Sequence, residues 1–198
     1  MSGVDVDGLE FDPDAHVYRL NGETLPGVTQ CLEPYTGLEF VNWELLRRAA
    51  EFGTHVHAAC HLFNEERLDW SSLDPPLVPY VQAWERFLDE SGAVVVHSEL
   101  RVASRRWKYA GTLDTIADWR RRRSLIDIKS GAVPRTVGPQ TAAYAEAFQE
   151  MTGRRVERRY CVQLKANGTY RLVPLEEAAD FSIFMSALNI HRWYGSKK

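Results

Sequence analysis

Three runs rich in Val, Ile, Leu and Thr follow one another with only short polar turns between them: AVVVHSELRVA (93–103), YAGTLDTIADW (109–119) and SLIDIKSG (124–131). Residues of this kind in runs of this length form strands, and connections this short make neighbours antiparallel. Helical patterns bracket the triplet. Upstream, WELLRRAAEFGTHVHAACHLF reads as a helical region from about Phe40 to Phe63, interrupted or kinked near Gly53, with Trp43, Leu46, Ala50 and Val56 as an apolar stripe. LVPYVQAWERFLDES (77–91) is a second amphipathic helix, with Val81, Trp84 and Leu88 on one side and Gly92 as its stop. Downstream, a helix begins at Pro139 and ends at Gly153, then two strands are joined through Asn167-Gly168, and a last helix covers about 176–194. A short hairpin around Asn21-Gly22, closed by Pro26 and Gly27, precedes everything.

Helix, three strands, helix, strands is the order of an α/β fold with a central mixed sheet flanked by helices. At 198 residues and 44% hydrophobic, the chain suits one well-buried core and is short for two. The expected organisation is a single domain over 1–198: an N-terminal hairpin and lead-in (1–39), a core (40–175) and a C-terminal helix (176–198). No apolar run is long enough to span a membrane, and the first residues are acidic and polar where a signal peptide would be basic then apolar. A cytoplasmic protein is expected. Cys31, Cys60 and Cys161 are scattered without a CxxC pair, which predicts reduced thiols and excludes a four-cysteine iron–sulfur cluster.

The net charge of −3 conceals segregation. Residues 1–40 carry eight acidic side chains and one basic one, whereas 101–123 carry eight basic ones against Asp114 and Asp118. A second basic stretch holds Arg154, Arg155, Arg158, Arg159, Lys165 and Arg171 against Glu157. A positive face on an acidic protein is therefore expected, which keeps a nucleic-acid partner in view.

Side chains alternate faces along a strand, so Leu125, Asp127 and Lys129 point one way while Ile126 and Ile128 point the other. Asp114 follows Gly111 on the preceding run, and the turn at 120–123 allows Asp114 and Asp127 to lie on adjacent strands. Two neighbouring carboxylates repel each other, and a hard divalent cation relieves that repulsion. D-x-K by itself is more often an ordinary ion pair at a strand end. The wider series carries more weight: Gly53-Thr54-His55-Val56-His57 on a helix, Glu99 on a strand, Gly111 to Asp114, Asp127-Ile128-Lys129-Ser130-Gly131, and Gln140 to Tyr144 four apart on a helix.

In that order and over about residues 53–144, the chain resembles the RecB-like and phage-exonuclease branch of the PD-(D/E)xK nucleases. The resemblance implies a restriction-endonuclease-like core and Mg²⁺- or Mn²⁺-dependent hydrolysis of DNA, with one or two ions. It further implies His57, Asp114, Asp127 and the Ile128 carbonyl as metal ligands, and Lys129 as the catalytic lysine. Glu99 would support the site or Lys129, and Gln140 and Tyr144 would be secondary. Thr54, Ser130 and the cluster Arg105, Arg106 and Lys108 are candidate DNA contacts. Trp107 within that cluster either stacks on bases or packs into the core. The branch also implies a strand-annealing or single-strand-binding partner, and the sequence fixes no oligomeric state.

The HVHAACH segment admits other ligand sets. His57 and His61 share a helical face and His55 lies opposite, but Ala58 stands where a zincin needs its catalytic glutamate, which removes the metalloprotease reading. His61 stands where many relatives have Glu. The expected activity is a DNA exonuclease of phage or prophage recombination and repair type. A structure-specific or nicking endonuclease of the same fold, or a weakly active DNA-binding accessory module, is the alternative.

Overall fold

The computed structural model describes residues 7–37 and 42–195, so Phe40, the expected start of the first long helix, lies outside the described residues, as do the ends of the N-terminal lead-in and of the C-terminal helix. The opening sheet has three strands, not the two of a simple hairpin: β1 (Leu9–Asp12), β2 (Val17–Leu20) and β3 (Glu23–Leu25), all antiparallel. Asn21 and Gly22 both have positive φ, as a two-residue hairpin turn needs. The short helix α1 (Val28–Leu32) follows at once.

The second sheet runs β4 (Val94–Ser104), β5 (Tyr109–Trp119), β6 (Arg122–Lys129), β7 (Arg158–Leu164) and β8 (Tyr170–Pro174) in that spatial order. Only β6 and β7 are parallel, so the sheet is mixed, as expected. A parallel pair needs a long crossover, and α4 (Val137–Thr152) supplies it. Its end is set by Gly153 in the left-handed region. The last helix, α5 (Asp180–Gly195), begins four residues later than its apolar pattern suggests.

Both faces of this sheet are covered. Leu113, Ile116 and Leu125 pack with Val28 of α1, Ala143 and Phe148 of α4, and Phe184 and Leu188 of α5. On the other face Ala117, Ile126, Ile128 and Val162 pack with Val56 and Cys60 of α2 (Trp43–Asn64) and with Trp84 and Phe87 of α3 (Val78–Ser91). Alternation along β6 therefore sends Leu125 to one core and its two isoleucines to the other. The small sheet sits against the β4–β5 hairpin, where Tyr18, Leu20 and Leu25 meet Ala103 and Ala110, and the Tyr18 hydroxyl is 2.9 Å from that of Thr112.

The expected interruption at Gly53 is absent: α2 is one helix of 22 residues, capped by the Asn42 side chain, which accepts the N–H groups of Glu44 and Leu45. Of the expected apolar stripe Val56 is buried, alongside Phe52, Cys60 and Phe63, while Leu46 is half-buried and Trp43 and Ala50 are exposed. A Cβ on Gly53 would meet only the Ser130 hydroxyl, at an ordinary 3.6 Å. Gly53→Ala should accordingly raise stability by about 0.5–1 kcal/mol through helix propensity. Chemical denaturation checks this, and a loss of stability would show that the glycine holds a strained geometry.

Candidate metal centre

The β5–β6 hairpin turns through Arg120 and Arg121, both at positive φ, and its ladder runs from Trp119 opposite Arg122 to Thr115 opposite Ile126. Asp114 is the next residue, and the ladder stops there. Its Oδ2 instead accepts the Ile128 N–H at 2.6 Å, so a side chain takes the place of a strand partner. Asp114 and Asp127 are thereby held close together, both buried.

Asp127 is bound on both sides. Gln140 Nε2, from the first turns of α4, donates to its Oδ1 at 3.0 Å, and Lys129 Nζ lies 2.7 Å from its Oδ2. The lysine contact is an ion pair by distance without hydrogen-bond alignment, which leaves Oδ2 with accepting capacity. From the opposite face, α2 brings His57 Nδ1 to 3.4 Å from Asp114 Oδ1 and 3.7 Å from Glu99 Oε1.

Glu99 is the residue that the motif order undervalued. It has φ of 51° in the middle of β4, a left-handed conformation that costs a residue with a side chain about 1–3 kcal/mol. With it, Glu99 joins His57 and Asp114 in a group whose ligand atoms lie within 4.8 Å of one another. That is the metal-capable group among the described residues, and it contains Glu99 where the motif comparison implied Asp127. Ile128 enters through its N–H. No sequence signal marks the backbone of Glu99, because no glycine or asparagine stands there.

One imidazole nitrogen with carboxylate oxygens suits a borderline-hard divalent ion, and adjacent ligands on an ion with bonds of about 2.1 Å sit roughly 3 Å apart. The 3.4 and 3.7 Å separations fit that requirement with little adjustment.

The charges are strongly coupled. Burial opposes a charged His57, but the Asp114 carboxylate and hydrogen bonds to Asp114 and Glu99 outweigh it and raise the imidazole to about 10. Burial likewise opposes ionisation of Asp114, yet His57, Lys129 and the Ile128 N–H hold it below the ordinary carboxylate range. At Asp127 burial prevails over Lys129 and, with the Asp114 charge, pushes the carboxyl up to about 6. Lys129 resists its own burial because Asp127 and Asp114 raise it above the ordinary ammonium value.

These shifts make a stability prediction. A histidine whose folded pKa exceeds its unfolded value near 6.5 gives stability that is complete below pH 6.5 and declines as pH rises toward the folded value. In EDTA, unfolding free energy should fall between pH 6.5 and 8.5, before the buried thiols of Cys31, Cys60 and Cys161 begin to matter. The slope should flatten in His57→Asn. Denaturant titration at each pH measures it, and an unchanged slope in the variant would assign the effect elsewhere.

Tyr144 lies one turn beyond Gln140 on α4 and is buried against Gly111, where a Cβ would stand 2.5 Å from its ring. Burial drives its hydroxyl well above the ordinary value, so it serves as a packed aromatic at the back of the site. Ser130 follows Lys129 and faces Gly53 of α2; Thr54 is exposed, with its hydroxyl donated to the Ala50 carbonyl.

Arg105, Arg106 and Lys108 are not brought to the carboxylates. They sit at the β4–β5 turn, five or more residues along the strand from Asp114, roughly 17 Å or more. Arg105 donates to the Asp7 carbonyl, the N–H groups of Arg105 and Arg106 are held by Glu150, and Lys108 pairs with Glu23. Contacts with the N-terminal segment and α4 hold this turn in place, which the local run of basic residues could not reveal. Trp107 between them is partly buried beside Phe181, the packing alternative. His61 also turns away from the carboxylates: its Nδ1 lies 3.0 Å from the Ser98 hydroxyl, which Asn64 also contacts, and its Nε2 faces Glu65 at 3.6 Å. His55 is exposed.

No family model matches the chain, and no curated protein matches it. Among the described residues no helix is long and apolar enough to cross a membrane.

Proposed function

We propose that this chain is a Mg²⁺- or Mn²⁺-dependent deoxyribonuclease of the PD-(D/E)xK kind, acting as an exonuclease. The observation that carries the reading is convergence: the motif residues, read in order along some ninety residues of sequence, come from five different elements into one cluster. His57 arrives on α2, Glu99 on β4, Asp114 on β5, Asp127 and Lys129 on β6, and Gln140 on α4. An antiparallel three-strand meander followed by a crossover helix and a parallel strand also suits the restriction-endonuclease-like core that the resemblance implies.

An ion held by His57, Glu99 and Asp114, with Asp127 beside them, would polarise a phosphoryl oxygen and make bound water more acidic. The chain's own groups divide the remaining work. Lys129 stays an ammonium under the influence of both aspartates, so it donates and offsets negative charge on the phosphoryl group and does not act as the base. Gln140 fixes the Asp127 carboxylate, and the Ile128 N–H fixes Asp114. The glycine at position 53 and the small Ser130 leave room for a phosphate backbone beside Lys129.

End-labelled linear duplex and covalently closed circular DNA, each incubated with Mg²⁺ or Mn²⁺, test the proposal. Stepwise loss of linear DNA from its ends with the circle intact is the expected result. Nicking of the circle would make the chain an endonuclease, and metal-dependent binding without hydrolysis would make it an accessory module.

A further inference from the structure

Five arginines line an open cavity of about 750 Å³ at the end of the sheet where the β5–β6 turn faces the loop from α4 to β7: Arg121, Arg122, Arg123, Arg154 and Arg155, with Asp118 and Glu157. Of the two carboxylates, only Asp118 is ion-paired among the described residues. Asp118 takes a two-pronged contact from Arg123, with both N···O distances 2.9 Å, and Glu157 accepts the Arg123 N–H at 3.4 Å. The side chains of Arg121, Arg122, Arg154 and Arg155 are exposed and have no ion pair among the described residues. At the β4–β5 turn, by contrast, Lys108 pairs with Glu23 and the Arg105 guanidinium donates to a backbone carbonyl.

Two segments thirty residues apart in sequence build the cluster, so it is a product of the fold and not of one basic run. His97 on β4 reports the field: burial, then Arg123 and Arg154 together, push its imidazole below the ordinary value. Like charges held together in excess of their counter-charges repel one another, and an anionic partner with repeated charges relieves them. Arginine forks suit phosphate oxygens in particular.

We infer that this arginine cluster binds the phosphodiester backbone of a nucleic-acid strand at a point remote from the carboxylates. Along β6, five residues separate Arg122 from Asp127, about 17 Å through the covered sheet, so a nucleic-acid strand passing over the surface from one place to the other spans more than about five nucleotides of axial rise. A strand whose phosphate lies at Lys129 reaches the cluster only if it is longer than that. The choice of nucleic acid as the polyanion rests on the nuclease reading.

The test measures binding in EDTA, where hydrolysis plays no part. Fluorescence anisotropy of a labelled 12-nucleotide strand and a 4-nucleotide strand is followed over a range of NaCl concentrations. The proteins are wild type, a quadruple variant (Arg121→Ala, Arg122→Ala, Arg154→Ala, Arg155→Ala) and the corresponding quadruple lysine variant. For the 12-mer, the alanine variant should lose about tenfold or more in affinity at 0.1 M salt. Its slope of log affinity against log salt should be shallower by about 0.7 for each phosphate contact removed. The lysine variant should keep the wild-type slope, and the 4-mer, too short to span both places, should bind the wild type more weakly than the 12-mer does. Equal slopes for wild type and alanine variant on the 12-mer would overturn the inference. So would a preference for an acidic peptide over DNA that the alanine variant loses. If the cluster governs binding and no DNA is hydrolysed with Mg²⁺ or Mn²⁺, the nuclease reading fails and the binding site stands.

Discussion

Lys129→Gln should lower DNA hydrolysis by about 10²–10³-fold while leaving the fold intact. Glutamine keeps a donor on a side chain of nearly the same reach but removes the positive charge, so the loss reads the electrostatic part of the lysine's contribution. The change does not leave a buried anion stranded, because the Asp127 carboxyl already sits near 6 and rises further once its counter-charge is gone. Gln140 continues to donate to the other oxygen. The acidic limb of the pH–rate profile should therefore move upward in the variant as kcat falls. Single-turnover hydrolysis of linear DNA across pH, with circular dichroism as a control, measures both. Wild-type turnover in a folded Lys129→Gln protein would remove the lysine from the chemistry and the nuclease reading with it.

Arg159→Ala should cost about 3–5 kcal/mol of stability, the penalty for breaking a buried pair from one side. Arg159 lies on β7 and joins three elements. Its guanidinium is 2.9 Å from Asp180 Oδ2 at the start of α5, and it donates to the Gly138 carbonyl, the Thr141 hydroxyl and the Glu177 carbonyl. Asp180 is 5% exposed, and its carboxylate lies within 3 Å of where a side chain on Gly138 would begin, so water cannot take the arginine's place easily. The double variant Arg159→Met with Asp180→Leu should recover most of the loss, since apolar residues of similar volume replace a buried pair at little cost. Denaturant unfolding of the two singles and the double gives the coupling. A single variant within about 1 kcal/mol of wild type would show that the pair is solvated. The effect should also reach the metal centre, because Gln140 stands in the helical turn that Arg159 anchors.

How much of this was legible in the sequence depends on whether one strand's own pattern carried it. The period of two in SLIDIKSG placed Asp127 and Lys129 on one face and the two isoleucines on the other, and the short connection read at 120–123, in the structure only Arg120 and Arg121, set Asp114 beside Asp127. The distance between elements was less readable. Gly53 resembles a helix break in a local reading, but burial of Phe52, Val56 and Cys60 against the sheet keeps α2 continuous. The basic turn around Arg105 looked like a DNA contact because the residues that hold it, Glu23 on Lys108 and Glu150 on the Arg105 N–H, are far away in sequence. Glu99 was undervalued for another reason: its participation comes from a strained backbone angle, which leaves no trace in residue type. The arginine cluster was half visible, as two basic stretches whose meeting only the β6–β7 pairing brings about.

The parallel pairing of β6 with β7 has a kinetic consequence. The β4–β5–β6 meander closes through turns of a few residues and can form early, whereas β7 can dock only after the whole of α4 has been laid across the sheet. Asp114 and Asp127 would then be neighbours in the nascent chain before Gln140 or the arginines of the α4–β7 loop arrive. During that interval two carboxylates face each other with less of their support, so a divalent cation present during refolding should speed the step in which the meander consolidates. On the metal-dependent reading proposed above, such an ion would assist folding before it assists chemistry.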